Sequence, residues 1–69
     1  MTMTTGTVKW FDARKGFGFI QPNDGSRDVF VHISAVEQAG LHSLNEGQRL
    51  GFEVSMERGK PAATNLQAA

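Results

Sequence analysis

The chain has 69 residues, no cysteine and a formal net charge of zero at pH 7. This length predicts one domain over residues 1–69, with a small core and residues 1–4 as a flexible N-terminal tail. The lack of cysteine excludes disulfides and cysteine-ligated zinc, and it favours a reducing, cytoplasmic compartment. No apolar run is long enough to span a bilayer, so we expect no membrane partner.

Turn-forming residues divide the chain into five short segments in which apolar and polar residues alternate. We predict strands over residues 5–13, 15–21, 28–33, 47–57 and 62–68. The link between the second and third strands is dense in turn formers, so these two strands should form a hairpin. Ser34 and Glu37 match a capping box, which predicts one helical turn beginning at Ser34.

So short a chain cannot hide the edges of a flat five-stranded sheet. A small closed barrel is the economical solution, because closure pairs every strand edge. The predicted fold is therefore all-β, a small five-stranded barrel. Gly16 and Gly18 fit the inner side of its tightly coiled second strand, where a side chain has no room.

Two adjacent rings, Trp10 and Phe11, interrupt the alternation of the first strand, because neighbouring residues cannot share one face of a regular strand. We place Trp10 on the outer face, since it follows Lys9 and lies beside the aromatic segments. Phe11 fits either the core or the surface. A β-bulge could expose both rings.

The second and third strands place rings where a protein rarely leaves them. With a period of two, Phe17 and Phe19 share a face with Lys15, and Phe30 lies on one face with His32. The opposite faces carry the core candidates Ile20, Val29, Val31 and Ile33. A barrel of this size cannot also enclose the phenylalanines, so the hairpin predicts an exposed ring patch suited to unpaired bases. His32 could instead be a surface or structural histidine.

Charged residues near these rings are candidate contacts for a nucleic-acid backbone. A net charge of zero argues against nucleic-acid binding. Lys9 and Lys15 weaken that argument, because they flank the rings and are expected to contact phosphates. Arg58 and Lys60, in a predicted turn, could contact phosphates or remain solvated. Asp28 could end a turn or accept a hydrogen bond from a base edge.

Enzyme chemistry is not expected. His32 and His42 are the only histidines, and they lack metal-ligand spacing with a carboxylate. The segment from Gly16 to Gly18 lacks the third glycine of a dinucleotide-binding loop. We therefore predict no catalytic residue, no metal, no cofactor and no small-molecule substrate.

Four segments together resemble the bacterial cold shock protein family, over nearly the whole chain. They are residues 6–11, 15–20, 29–33 and 61–66. The resemblance implies a five-stranded antiparallel barrel of the OB-fold type that binds single-stranded RNA or DNA on strands one to three. It also implies an RNA chaperone that melts weak secondary structure, with effects on transcription or translation. We expect a monomer.

Matching positions imply specific roles. The residues that would stack on bases are Trp10, Phe17, Phe19, Phe30 and His32. Their polar partners would be Lys9, Lys15 and Asp28. Many members of the family have phenylalanine where this chain has Ile33 and Leu41, so two outer stacking platforms are expected to be missing, which affects how long a strand the face can hold.

Two other classes of function fit the same rings. A protein-interaction barrel would grip an apolar or proline-rich peptide with them, and the neutral charge suits that alternative. An oligosaccharide-binding barrel would also use aromatic platforms, but it would not need Lys9 and Lys15 beside them. Competition with oligothymidine and the salt dependence of binding distinguish these alternatives.

Overall fold

The computed structural model describes residues 3–68 as a closed five-stranded barrel with one short helix. Its elements are β1 (Met3–Asp12), β2 (Phe17–Pro22), β3 (Val29–His32), α1 (Ile33–Gln38), β4 (Arg49–Glu57) and β5 (Lys60–Ala68). Around the barrel the strands follow the order β1-β2-β3-β5-β4. The predicted all-β fold with five strands is confirmed. No helix within residues 3–68 is long and apolar enough to cross a membrane.

The barrel is antiparallel as predicted, except at one junction that is parallel. β3 and β5 pair in parallel through Phe30 and Ala62, whereas the other four junctions are antiparallel. The reason is geometric. Strand direction alternates at each antiparallel junction, so a closed ring with an odd number of strands must contain a parallel one.

β1 begins earlier than predicted. Met3 pairs with Glu53 and Thr4 with Phe52 in the ladder between β1 and β4. These two residues therefore belong to a strand and not to a flexible tail, because β4 offers them backbone partners. The rest of the predicted tail, residues 1 and 2, lies outside the described residues.

The turn between β1 and β2 is also longer than predicted. The carboxylate of Asp12 accepts hydrogen bonds from the backbone N–H groups of Arg14 at 2.8 Å and Lys15 at 3.2 Å. Gly16 then adopts a positive φ of 83°, which glycine tolerates best. Lys15 and Gly16 therefore precede β2, and the expected place of Gly16 on the inner side of a strand is wrong.

Gly18 does lie where two strands approach closely. A Cβ atom on Gly18 would come within 2.7 Å of the Cα atom of Phe11 in the neighbouring strand. Because that atom belongs to the backbone, β1 and β2 could not keep their spacing around a larger residue. The predicted need for glycine at this position is confirmed.

The helix begins one residue before the predicted position. His32 is its N-cap, with extended backbone angles of φ −95° and ψ 150°, and its side chain accepts a hydrogen bond from the N–H of Ser34. Ser34 is therefore inside the first turn and is not the cap. As a consequence Ile33 belongs to α1 and lies half-buried outside the buried core cluster, so its predicted place in the core is wrong.

The core is aliphatic except for one ring. Its least exposed members are Phe52, Ile20, Leu50, Val8, Val31 and Val36. Leu44, from the loop after α1, is also buried in this cluster, and Leu41 packs against it. The inner faces of β2 and β3 thus supply the aliphatic residues that period-two alternation predicts.

The loop between β2 and β3 turns as its sequence predicts. Gly25 has a positive φ of 82°, and the backbone N–H of Ser26 donates to the Asp24 carboxylate at 2.9 Å. The hydroxyl and backbone of Ser26 stabilise the charged form, so the pKa of Asp24 lies below its usual value. The loop delivers the chain to Asp28 and the start of β3.

Candidate nucleic-acid interface

A β-bulge in β1 puts Trp10 on the outer surface. The register passes from Val8 opposite Ile20 to Trp10 opposite Phe19, which leaves Lys9 as the extra residue. Lys9 and Trp10 are both exposed, and 38% of the Trp10 surface is accessible. Phe11 is half-buried and packs against the core. The bulge therefore exposes Lys9 and Trp10, and it does not expose Trp10 and Phe11 together.

Five rings form one continuous cluster on the outer surface of β1, β2 and β3, which we call the aromatic face. Its members are Trp10, Phe17, Phe19, Phe30 and His32. The centroid distances are 5.6 Å for Trp10–Phe17, 5.5 Å for Trp10–Phe19, 5.8 Å for Phe17–Phe30, 6.0 Å for Phe19–Phe30 and 6.4 Å for Phe30–His32. These distances are typical of aromatic pairs in contact.

Strand register explains why these rings meet. Phe17 is opposite His32, and Phe19 is opposite Phe30. The residues between them, Gly18 in β2 and Val31 in β3, are opposite each other and buried. The three phenylalanines are half-buried and pack against one another on the outer surface of β2 and β3.

Lys9 and Asp28 contact each other. The Lys9 ammonium lies 2.9 Å from the Asp28 carboxylate, and 53% and 36% of the two side chains are exposed. The pair reaches from β1 to the residue before β3, so it bridges the strands on either side of β2. Exposed pairs of this kind contribute about 0–1 kcal/mol, so a ligand could replace the contact at little cost.

Other predicted cations have no such partner. The Lys9–Asp28 contact is the single ion pair within residues 3–68. Lys15 is exposed in the turn that leads into Phe17, Arg58 is exposed in the turn between β4 and β5, and Lys60 is exposed at the start of β5. These three side chains can accept an anionic ligand without first breaking an ion pair.

A groove of about 690 Å³ extends from the aromatic face to the turn between β4 and β5. Phe19 and Phe30 of the aromatic face line it together with Arg58 and Lys60. Arg27 also lines the groove, although it was not among the binding residues predicted from the sequence. Its position beside Asp28 was a signal, but the groove exists only because the parallel junction between β3 and β5 places the β4–β5 turn beside the β2–β3 hairpin, which the pattern does not predict.

The β4–β5 turn holds Arg58 in an unusual conformation. Arg58 and Gly59 have positive φ values of 52° and 78° between the paired residues Glu57 and Lys60. A two-residue turn with both φ values positive matches the strand twist, but it favours asparagine and glycine over arginine. The conformation of Arg58 therefore costs stability.

The two positions that lack a family aromatic differ from each other. Ile33 is the first residue of α1, half-buried and outside the buried cluster. Leu41 is half-buried and packs against the core. Neither side chain offers a plane on which a base could stack.

A small closed barrel with rings and unpaired cations on one side is the architecture of oligonucleotide-binding OB-folds. The family profile described as "'Cold-shock' DNA-binding domain" matches residues 4–69. The chain belongs to the cold shock domain family, whose members bind nucleic acid.

Full-length relatives agree with this assignment. The chain is 66% identical over 68 residues to the probable cold shock protein y4cH of Sinorhizobium fredii, covering 96% of this chain and 99% of that protein. It is 58% identical over 69 residues to the cold shock protein CspA of Rhizobium meliloti, with 97% and 100% covered. It is 52% identical over 68 residues to the cold shock-like protein CspE of Escherichia coli, with 99% of each covered.

Proposed function

We propose that the aromatic face binds single-stranded RNA and DNA with little dependence on sequence. The observation that supports this most strongly is the unbroken series of ring contacts from Trp10 to His32. Every base has a flat face, so stacking on such a series tolerates any sequence. A duplex keeps its bases stacked on one another and cannot offer those faces.

Cations around the face provide the backbone contacts. Lys15 would meet phosphate at the Phe17 end, and Arg58 and Lys60 would do so along the groove. The ion pair of Lys9 and Asp28 would separate when nucleic acid binds. Lys9 would then contact a phosphate, and Asp28 would accept a hydrogen bond from a base edge. Two to four phosphate contacts suit a chain without net positive charge.

The cellular role that follows is that of an RNA chaperone, working as a monomer without catalysis. A protein that binds only unpaired strands shifts the equilibrium of a weak hairpin toward the open form by mass action. Moderate affinity lets the strand leave and refold. Effects on transcription or translation follow wherever a hairpin controls either process.

The test is the opening of a short RNA hairpin that carries a fluorophore and a quencher on its two ends. We expect fluorescence to rise with protein concentration for a weak stem and to remain low for a long, stable one. The matched control is the Phe17→Ala, Phe30→Ala double variant, which removes two platforms from the outer surface. Equal opening by this variant would contradict stacking, and release of RNA by a proline-rich peptide would favour a protein-interaction barrel.

A further inference from the structure

His32 makes contacts that stacking does not require. Its Nδ1 atom accepts a hydrogen bond from the backbone N–H of Ser34 at 3.1 Å. The hydroxyl oxygen of Ser34 lies 2.9 Å from the same nitrogen. One ring therefore belongs both to the aromatic face and to the start of α1.

These contacts select the tautomer of the ring. A backbone N–H can only donate, so Nδ1 must accept, and a neutral imidazole then carries its one proton on Nε2. The two ring nitrogens point in different directions, so the Nε2–H group is directed away from the start of α1. Because His32 is exposed, this donor is open to a ligand.

The geometry of stacking decides which acceptor this donor can reach. A base stacked on the imidazole lies in a parallel plane about 3.5 Å away. An N–H in the plane of the imidazole cannot reach the edge of that base. It can reach the backbone, which runs along the side of the stack from one base to the next, and there the strongest acceptor is a phosphate oxygen.

We propose that the Nε2–H of His32 donates a hydrogen bond to a phosphate oxygen of the bound strand, with Ser34 as the residue that positions the ring in its donating tautomer. This inference rests on the proposed function, because it needs a strand on the aromatic face. A neutral imidazole gives the chain a phosphate contact without a cation. Such a contact adds little to the salt dependence of binding.

Nitrogen-15 NMR of the histidine rings in mildly alkaline buffer tests the tautomer. His42 is the internal control, since it is exposed and its ring makes no hydrogen bond within residues 3–68. We expect His32 to hold its proton on Nε2 alone, and its Nε2 signal to move when oligothymidine is added while that of His42 does not. A proton on Nδ1, or a tautomer mixture equal to that of His42, would overturn the assignment.

Two variants separate the donor from the helix cap. His32→Phe keeps a ring for stacking but removes the donor, and we expect it to bind oligothymidine about 2- to 10-fold more weakly. His32→Asn keeps an acceptor for the Ser34 N–H but removes the ring. Wild-type affinity in the asparagine variant would show a capping role alone and overturn the inference.

Oligothymidine strands with a single neutral methylphosphonate identify the acceptor. At one position of the strand, the methylphosphonate should weaken binding to the wild-type chain about 2- to 10-fold, as the loss of the donor does. At that position it should leave the affinity of the His32→Phe variant unchanged. Profiles that coincide in the two proteins at every position would overturn the phosphate contact alone. A wild-type chain that bound no strand would instead overturn the proposed function.

Discussion

The inner and outer faces of β2 and β3 differ in what their side chains contact. On the inner face, Ile20 and Val31 are completely buried among the aliphatic residues of the core. On the outer face, Phe19 and Phe30 are half-buried, and each contacts other rings of the aromatic face. In the proposed function these two strands support both folding and binding, and alternation assigns these tasks to different residues.

Two phenylalanines give the strongest test of this division. Phe52 is completely buried in the core, so Phe52→Ala should lower the free energy of unfolding by about 3–5 kcal/mol. Phe30→Ala removes a ring from the outer face and should cost much less. Urea unfolding followed by Trp10 fluorescence measures both, and equal losses would contradict the separation of the faces.

Binding should respond in the opposite way. Replacing Phe17, Phe19 or Phe30 singly by alanine should weaken the binding of a single strand by about 1–3 kcal/mol, because each change removes one stacking platform. The control is Val29→Ala on the inner face, which should lower stability and leave the affinity of the folded protein close to that of the wild type. Titrations at a temperature where all the variants are folded give the comparison.

A smaller effect is expected in the β4–β5 turn. Arg58→Asn should raise the free energy of unfolding by about 1 kcal/mol, since asparagine tolerates a positive φ better than arginine does. It should also reduce the slope of log affinity against log salt by about 0.7, the value of one phosphate contact on a single strand.

Lys60→Gln is the matched control for Arg58, because it removes a charge from the same hairpin but no unusual backbone conformation. It should reduce the salt slope without raising stability. If Arg58→Asn stabilised the protein and left the slope unchanged, the arginine would have no part in binding.

The smallest predicted gain comes from supplying a missing ring. Ile33 lies at the start of α1 outside the buried cluster, so Ile33→Phe should tighten the binding of a strand long enough to reach it by about 1 kcal/mol. Leu41→Phe is the contrasting variant. Leu41 packs against the core, so the larger ring should cost about 1–3 kcal/mol of stability. Affinity and melting temperature of both variants check these expectations.

Period-two alternation was sufficient to predict the five strands and the outer position of Phe17, Phe19 and Phe30. It failed where the backbone departs from regular strand geometry. The N-cap at His32 could not be predicted, because Ser34 and Glu37 form a capping-box signal two residues further along the chain, and histidine is not a preferred N-cap. The helix starting at Ile33 then removed that residue from β3, against its alternation with Val31.

The sequence pattern also could not predict contacts between distant segments. The Lys9–Asp28 pair depends on the β1 bulge and on where the β2–β3 loop ends. The place of Arg27 in the groove depends on the parallel junction between β3 and β5. A local pattern contains neither the closure of the barrel nor the register that results from it.

Fluorescence of Trp10, the only tryptophan of the chain, tests most directly whether the aromatic face binds unpaired bases. Trp10 contacts Phe17 and Phe19 at the exposed side of the cluster, so a stacked base should quench its emission. We expect saturable quenching by a pyrimidine single strand of about six nucleotides and much weaker binding of a duplex of the same length. Equal affinity for the duplex, or binding of the single strand without any change in Trp10 emission, would contradict stacking on this face.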